Sequence, residues 1–323
     1  FRQESNFWYL TGFDEPDAIA LFLSHKPIGE RYILFVQPKN IESEVWNGFR
    51  WGTNGAEQVF KADKSHPISE FEKELPHYLF GADEIVFSIG KYPEIEPIVL
   101  NLWARQIDNY SRLGVAPRAI QPPGIYLNQM RLIKSKYEIE KMREAALISA
   151  EAHELVRHNI WSKTNERQIQ GLLEGFFLEK GTRGPAYNSI VASGDNACIL
   201  HYTSNNSELK KGDLLLVDAG CSLQDYYNGD ITRTFTVGGK FSAEQRAIYE
   251  IVLEAQKKAI QSVVTGVSSS DIHNAALKVL IEGLLEINLL KGSVDEIIEN
   301  CSYKHFYMHK TGHWLGLDVH DVG

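Results

Sequence analysis

The nine residues Ala116-Pro-Arg-Ala-Ile-Gln-Pro-Pro-Gly124 constrain this chain more than any others. Each proline lacks a backbone N–H and pushes the residue before it out of the helical region, so the stretch predicts a break in regular structure. With 323 residues there is enough chain on either side for a separate core. Two domains are expected, over residues 1–122 and 123–323.

The two halves carry different patterns. In the first, Phe7-Trp-Tyr-Leu-Thr, Ala18-Ile-Ala-Leu-Phe-Leu, Arg31-Tyr-Ile-Leu-Phe-Val and Glu84-Ile-Val-Phe-Ser are short aromatic and aliphatic runs that predict strands. Helical periodicity fits about 68–80 and 94–112, which makes this half α/β. The second half reads as α+β. Ser135 and Glu138 form a capping-box signature before a helix over 136–158, and a second helix fits 164–180. Strands are expected in Asn188-Ser-Ile-Val-Ala, Asp213-Leu-Leu-Leu-Val-Asp and Asp230-Ile-Thr-Arg-Thr-Phe-Thr-Val. Two helices follow, over 243–265 and 269–290, starting at Ser242 and Ser269, with Gly266 ending the first.

Net charge of -9 argues against a nucleic-acid surface, which needs clustered Lys and Arg. No run of 18 apolar residues is present to span a membrane, and Phe1-Arg-Gln-Glu-Ser does not read as a signal peptide. Cys198, Cys221 and Cys301 are odd in number and widely spaced, which predicts reduced thiols and a cytoplasmic protein.

Chemistry concentrates in the second half. Asp218 ends an apolar strand and Asp230 begins the next, with the turn signal Asn228-Gly229 between them. Paired strands would bring these carboxylates together, where only a cation would relieve their repulsion; a turn cap and a solvated strand end are the alternative. His309, His313 and His320 fall in the last fifteen residues, and His201 lies upstream. Gly312 and Gly316 argue for strand or irregular backbone there, so a single ligand is expected from His309 and His313. His-Glu-x-x-His, Gly-x-Ser-x-Gly and the phosphate-binding Gly-x-x-x-x-Gly-Lys-Ser/Thr loop are all missing, which disfavours zincin, serine-hydrolase and P-loop chemistry.

Taken together, His309-Lys-Thr-Gly-His-Trp-Leu-Gly-Leu-Asp-Val-His-Asp-Val-Gly323, Val217-Asp-Ala-Gly220, Gly229-Asp-Ile-Thr-Arg-Thr-Phe235 and Ile199-Leu-His-Tyr-Thr203 resemble the motifs of the proline-specific metallopeptidases. Arg2-Gln-Glu-Ser-Asn-Phe-Trp-Tyr-Leu-Thr-Gly-Phe-Asp-Glu-Pro16 is similar to the N-terminal domain of bacterial aminopeptidase P. The resemblance implies a creatinase-like α/β domain followed by a pita-bread catalytic domain with two divalent metal ions, usually Mn²⁺. It implies that Asp218, Asp230 and His313 are metal ligands, Asp230 bridging. It also implies that a metal-bridging hydroxide attacks the scissile bond. His201 and His320 would hold the substrate and stabilise the tetrahedral intermediate, and His309 would line the proline-side pocket. Trp46 falls where the aminopeptidases place an aromatic near the active-site entrance; a helix-end Trp packed on its own domain is the structural alternative.

Two departures stand out. The family's two glutamate ligands have no counterpart before Gly323, for which truncation is the expected reason, and three of five ligands predict weak metal binding. Asp218 and Asp230 are also one residue further apart than the family usually shows, a difference expected to be absorbed as a longer turn or bulge near Asn228-Gly229. The expected activity is removal of the first residue from peptides with proline second. An Xaa-Pro dipeptidase and a metal-free pita-bread binding module are the alternatives. The expected partners are proline-containing peptides and further copies of the chain, as a homodimer or homotetramer, with neither nucleic acid nor membrane.

Overall fold

The computed structural model describes every residue from Phe1 to Gly323 and divides into two compact units, Phe1–Ile133 and Lys134–Gly323. The observed division falls one short helix, Gly124–Leu132, after the break expected behind residue 122. No helix is long and apolar enough to cross a membrane.

In the first unit, strand Tyr32–Val36 is central. It pairs antiparallel with Ile19–Phe22 and parallel with Lys64–Pro67. Its continuous apolar run is needed because both faces are covered. Ile33 and Phe35 pack on Phe71, Leu75, Tyr78 and Val99, while Leu34 and Val36 pack on Phe13, Ala56 and Ala62. Burying a side chain such as Phe35 contributes about 2–3 kcal/mol. Phe7–Thr11, expected as a strand, lies instead in helix Ser5–Thr11. The Glu4 carboxylate caps it by accepting from the Phe7 N–H at 2.8 Å, and Gly12 ends it at φ 63°. Local capping overrides the strand propensity of the aromatics.

The proline-rich stretch also departs from expectation. Ile120–Gln121, flanked by the prolines, forms a two-residue strand parallel to Ile85–Val86. Ala119 and Gln121 contribute only their carbonyls to the flanking bonds from the Ile85 and Phe87 N–H groups, so the missing N–H of Pro122 costs nothing there.

In the second unit, helix Lys136–Asn159 opens with the expected capping box of Ser135 and Glu138. Ala145, Ser149, Ala152, His153 and Val156 form its buried stripe. Helix Glu166–Glu179 follows, capped by Asn165. The sheet runs in the order Thr232–Thr236, Leu214–Asp218, Ile190–Ser193, antiparallel throughout. Asp230 therefore stands two residues ahead of its strand rather than beginning it. Helices Ala243–Gln261 and Ser269–Glu286 pack through Ala255, Ala259 and Ala276. The first ends before the expected 265, its cap being Ser262, and Gly266 serves the following turn; the second begins at Ser269 as expected, behind the cap Ser268, and ends at Glu286 rather than at 290. From Phe306 to Gly323 the backbone is irregular, as the glycines there predict.

Candidate metal and active site

The sheet delivers the first carboxylate. Asp218 closes strand Leu214–Asp218, with Thr232 opposite on one side and Ile190 on the other. The chain then turns out through Ala219-Gly220-Cys221 and back through Asn228-Gly229 to Asp230. Gly220 faces the Gly229 carbonyl and Gly229 faces the Ser149 hydroxyl so closely that a Cβ at either position would collide. The reversal itself sits at Leu223–Tyr227, where Leu223 and Tyr227 pair and Tyr226 takes φ 69°. Asn228-Gly229 is therefore not the turn that its sequence suggests. Asn228 is buried and donates through Nδ2 to the Gly316 and Leu317 carbonyls at 3.1 and 2.9 Å. It ties the carboxylate hairpin to the histidine segment.

The two carboxylates converge on a residue that sequence reasoning misses. The Tyr187 hydroxyl lies 2.7 Å from Asp218 Oδ1 and 2.7 Å from Asp230 Oδ1. A hydroxyl has one proton, so it can donate to only one of them. The second contact needs a protonated carboxyl or an intervening cation. Burial pushes the Asp218 carboxyl upward, the charge of Asp230 adds to this, and hydrogen bonds from Tyr187 and Thr232 and the charge of His201 oppose it. Tyr187 is itself pushed far upward by burial and by both aspartates, so it keeps its proton. The extra residue between the aspartates does not keep them apart.

His313 supplies nitrogen. Its Nδ1 lies 2.9 Å from the Trp314 carbonyl, which can only accept, so Nδ1 carries a hydrogen. Its Nε2 lies 3.2 Å from Asp230 Oδ2. That contact is satisfied by an imidazolium, or by a lone pair sharing a cation with the carboxylate. Two oxygen donors and one oriented imidazole fit a divalent ion. The chain alone does not gather three such groups into a ready-made metal cluster, because Tyr187 bridges the aspartates and His313 meets only Asp230.

The other histidines separate. His320 stacks edge-on to His313 with ring centroids 4.3 Å apart. His201 has no hydrogen-bond partner on its ring and is near enough to Asp218 to favour its ionised carboxylate. His309 is exposed, bonds the neighbouring Lys310 carbonyl and touches none of the carboxylates. Trp46 belongs to the first unit, 86% exposed on helix Ile41–Asn47 and not packed on its own domain.

Supports surround the hairpin. The Ser149 hydroxyl accepts from the Cys221 N–H at 3.0 Å, and buried His153 donates from Nε2 to the Ala219 carbonyl at 3.1 Å. Burial lowers the His153 pKa, so it stays neutral. Lys134 and Asp321 form a buried ion pair at 2.7 Å that fixes the end of the histidine segment. The capping serine at 135 and the apolar strands are legible in the sequence; these polar supports carry no motif.

Comparison with known proteins adds identity to geometry. Residues 140–323 match Metallopeptidase family M24, and residues 1–87 match the Aminopeptidase P N-terminal domain. The chain is 43% identical over 323 residues to an Xaa-Pro aminopeptidase of Haemophilus influenzae and 37% identical over 324 residues to that of Escherichia coli. These alignments take in 100% of this chain and 72% and 73% of the relatives. The structure of Pseudomonas aeruginosa aminopeptidase PepP aligns with TM-score 0.93 at 41% identity. Zinc-substituted E. coli aminopeptidase P in complex with product aligns with TM-score 0.94 at 38% identity. Each covers 100% of this chain and 73% of the other. The chain belongs to metallopeptidase family M24, with a pita-bread domain behind an aminopeptidase P N-terminal domain.

Proposed function

We propose that this protein is a metal-dependent Xaa-Pro aminopeptidase that hydrolyses the bond between an N-terminal residue and a following proline. The observation that carries the reading is the convergence of Asp218 and Asp230 on one tyrosine proton, with His313 Nε2 on the same carboxylate. Relatives at 43% and 37% identity are named Xaa-Pro aminopeptidases, which favours this over the dipeptidase. Retention of both aspartates and His313 counts against a metal-free binding module.

Asp218, Asp230 and His313 would hold divalent cations, Mn²⁺ in our reading, with Asp230, which faces both Tyr187 and His313, as the central ligand. Bound there, such ions supply Lewis-acid polarisation of the scissile carbonyl and lower the pKa of the attacking water. The chain's own groups do the rest. Tyr187 fixes the orientation of both carboxylates while keeping its proton. His201 and His320 hold the peptide and donate to the oxyanion of the tetrahedral intermediate. His309, exposed and unattached to the carboxylates, lines the proline side. A pocket for proline must accept a tertiary amide without relying on its N–H.

Residues 1–122 form the N-terminal domain, whose exposed Trp46 would meet the peptide at the active-site entrance of a neighbouring copy. Residues 123–323 form the catalytic domain. Exposed Ile41, Val45 and Trp46 on one short helix support self-association as a homodimer or homotetramer. Three free cysteines support a cytoplasmic setting.

The test follows release of the first residue from an Xaa-Pro-Xaa tripeptide by the metal-stripped protein, in its natural length, before and after adding Mn²⁺. Metal-dependent tripeptide cleavage is expected. Cleavage of an Xaa-Pro dipeptide alone would move the activity to a dipeptidase, and silence on both would leave a binding fold.

A further inference from the structure

Outside the carboxylate site, one charged group is fully enclosed by protein. Glu166, the first residue of helix Glu166–Glu179, is 0% exposed. Its Oε1 accepts from the Ser193 N–H at 2.8 Å, the Ser193 hydroxyl at 2.8 Å and Asn196 Nδ2 at 3.0 Å. Its Oε2 accepts from the Tyr202 hydroxyl at 2.8 Å and the Ser207 N–H at 2.9 Å. Every partner is a donor. Burial alone would raise the Glu166 pKa, but these bonds outweigh it and hold the carboxyl below its ordinary range.

The five donor groups come from four residues, all within the segment 193–207. Ser193 and Ser207 are its two ends, and Asn196 and Tyr202 lie between them. Asn205 closes the segment from the other side, accepting from the Val191 N–H and donating to the Ser189 carbonyl. His201 lies inside this segment, directly before Tyr202, and is near enough to Asp218 to favour its ionised carboxylate. The His201 ring makes no hydrogen bond of its own, so its place is set by the backbone around it. Its immediate neighbour, Tyr202, is moored to Glu166.

We propose that Glu166 is the positioning residue for His201: one buried carboxylate gathers both ends and the middle of segment 193–207 and thereby aims His201 at the substrate beside Asp218. This rests on the reading of His201 as a substrate-holding residue. A neutral isostere cannot do the same work. A glutamine amide turns an NH₂ toward either Ser193 or Ser207, donor against donor, and releases one end of the segment.

The test is a double-mutant cycle of Glu166→Gln and His201→Ala in the Mn²⁺-loaded protein of natural length, with three readouts. These are tripeptide kcat and KM, Mn²⁺ affinity by calorimetry, and amide exchange at Ser193 and Ser207. Glu166→Gln is expected to lower kcat/KM by about 10- to 100-fold, as a misplaced holding group does. In the His201→Ala background the same change is expected to cost no more than about twofold, since coupled residues are non-additive. Mn²⁺ affinity should stay within about twofold of wild type, because no metal ligand is touched. Amide exchange at Ser193 and Ser207 should rise. Equal losses in both backgrounds, or a loss that tracks Mn²⁺ affinity, would show a general structural role and overturn the proposal. A silent His201→Ala would remove the reading of His201, and the proposal with it. If Glu166→Gln does not fold, Glu166→Asp, which keeps the charge and shortens the reach, takes its place in the cycle. The same outcomes then support or overturn the proposal.

Discussion

The two halves of the candidate metal site are built by opposite means. The carboxylate half is a buried hairpin, held from behind by Ser149 and His153, closed at Gly220 and Gly229, and bridged in front by Tyr187. The histidine half is irregular backbone with exposed rings, fastened at a few points by Asn228 and the Lys134–Asp321 pair. Carboxylates that must not repel each other need a rigid frame and a neutralising partner. Groups that meet a peptide need access. The contrast teaches where each kind of mutation should act, metal affinity on one side and peptide handling on the other.

The sharpest break in that comparison is Asp230→Ala. It removes the carboxylate that faces both Tyr187 and His313. Bound Mn²⁺ and tripeptide turnover should fall together, by on the order of 10³-fold for kcat, measured by metal analysis and steady-state kinetics. His309→Ala, on the other half, should leave the metal content unchanged and act only on peptide kinetics.

Tyr187→Phe should come next. It leaves all ligands in place but takes away the hydroxyl that orients them. A metal-affinity loss of about 10- to 100-fold is expected by titration, with little change in thermal stability. Unchanged affinity would mean that the hairpin alone sets the carboxylates.

Asn228→Ala tests the connection between the halves. It strips the side-chain donor from the Leu317 carbonyl and one of two donors from the Gly316 carbonyl, which keeps the backbone N–H of residue 228, and should cost about 1–3 kcal/mol in denaturant unfolding. Its kinetic effect should appear in peptide turnover before metal content.

The smallest expected effect is a pH dependence. Glu166 is held below its ordinary value of 4.5 in the folded protein. Its stabilising contribution is therefore fully present above about 4.5 and is lost as pH falls through its lower folded pKa. The difference in melting temperature between wild type and Glu166→Gln, both metal-free, should be flat from neutral pH to about 5 and shrink below about 4.5. A gap that instead widens with acid would contradict the assignment of charge.

What the sequence makes legible follows the same division. Apolar strands such as Tyr32–Val36, and serine caps such as Ser135, declare themselves because burial and capping act over a few consecutive residues. Asp218, Asp230 and His313 stand out through residue type and order, and the fold brings them together. Tyr187 and Glu166 give no signal, because each works on partners far along the chain and looks locally like an ordinary polar residue. Asn228-Gly229 actively misleads: its turn signature is real, yet the asparagine is used for a buried tether and the glycine for close approach. Helix Ser5–Thr11 reads as a strand because its aromatics dominate the pattern, whereas Glu4 and Gly12 decide the structure.

The most direct measurement is a Mn²⁺ titration of the metal-stripped protein in its natural length, followed by electron paramagnetic resonance, for wild type and Asp230→Ala. The account predicts saturable uptake by wild type, with signals of magnetically coupled ions, and loss of that coupled signal in the variant. The same coupled signal in Asp230→Ala, or none in wild type at saturation, would contradict a metal site shared through Asp230.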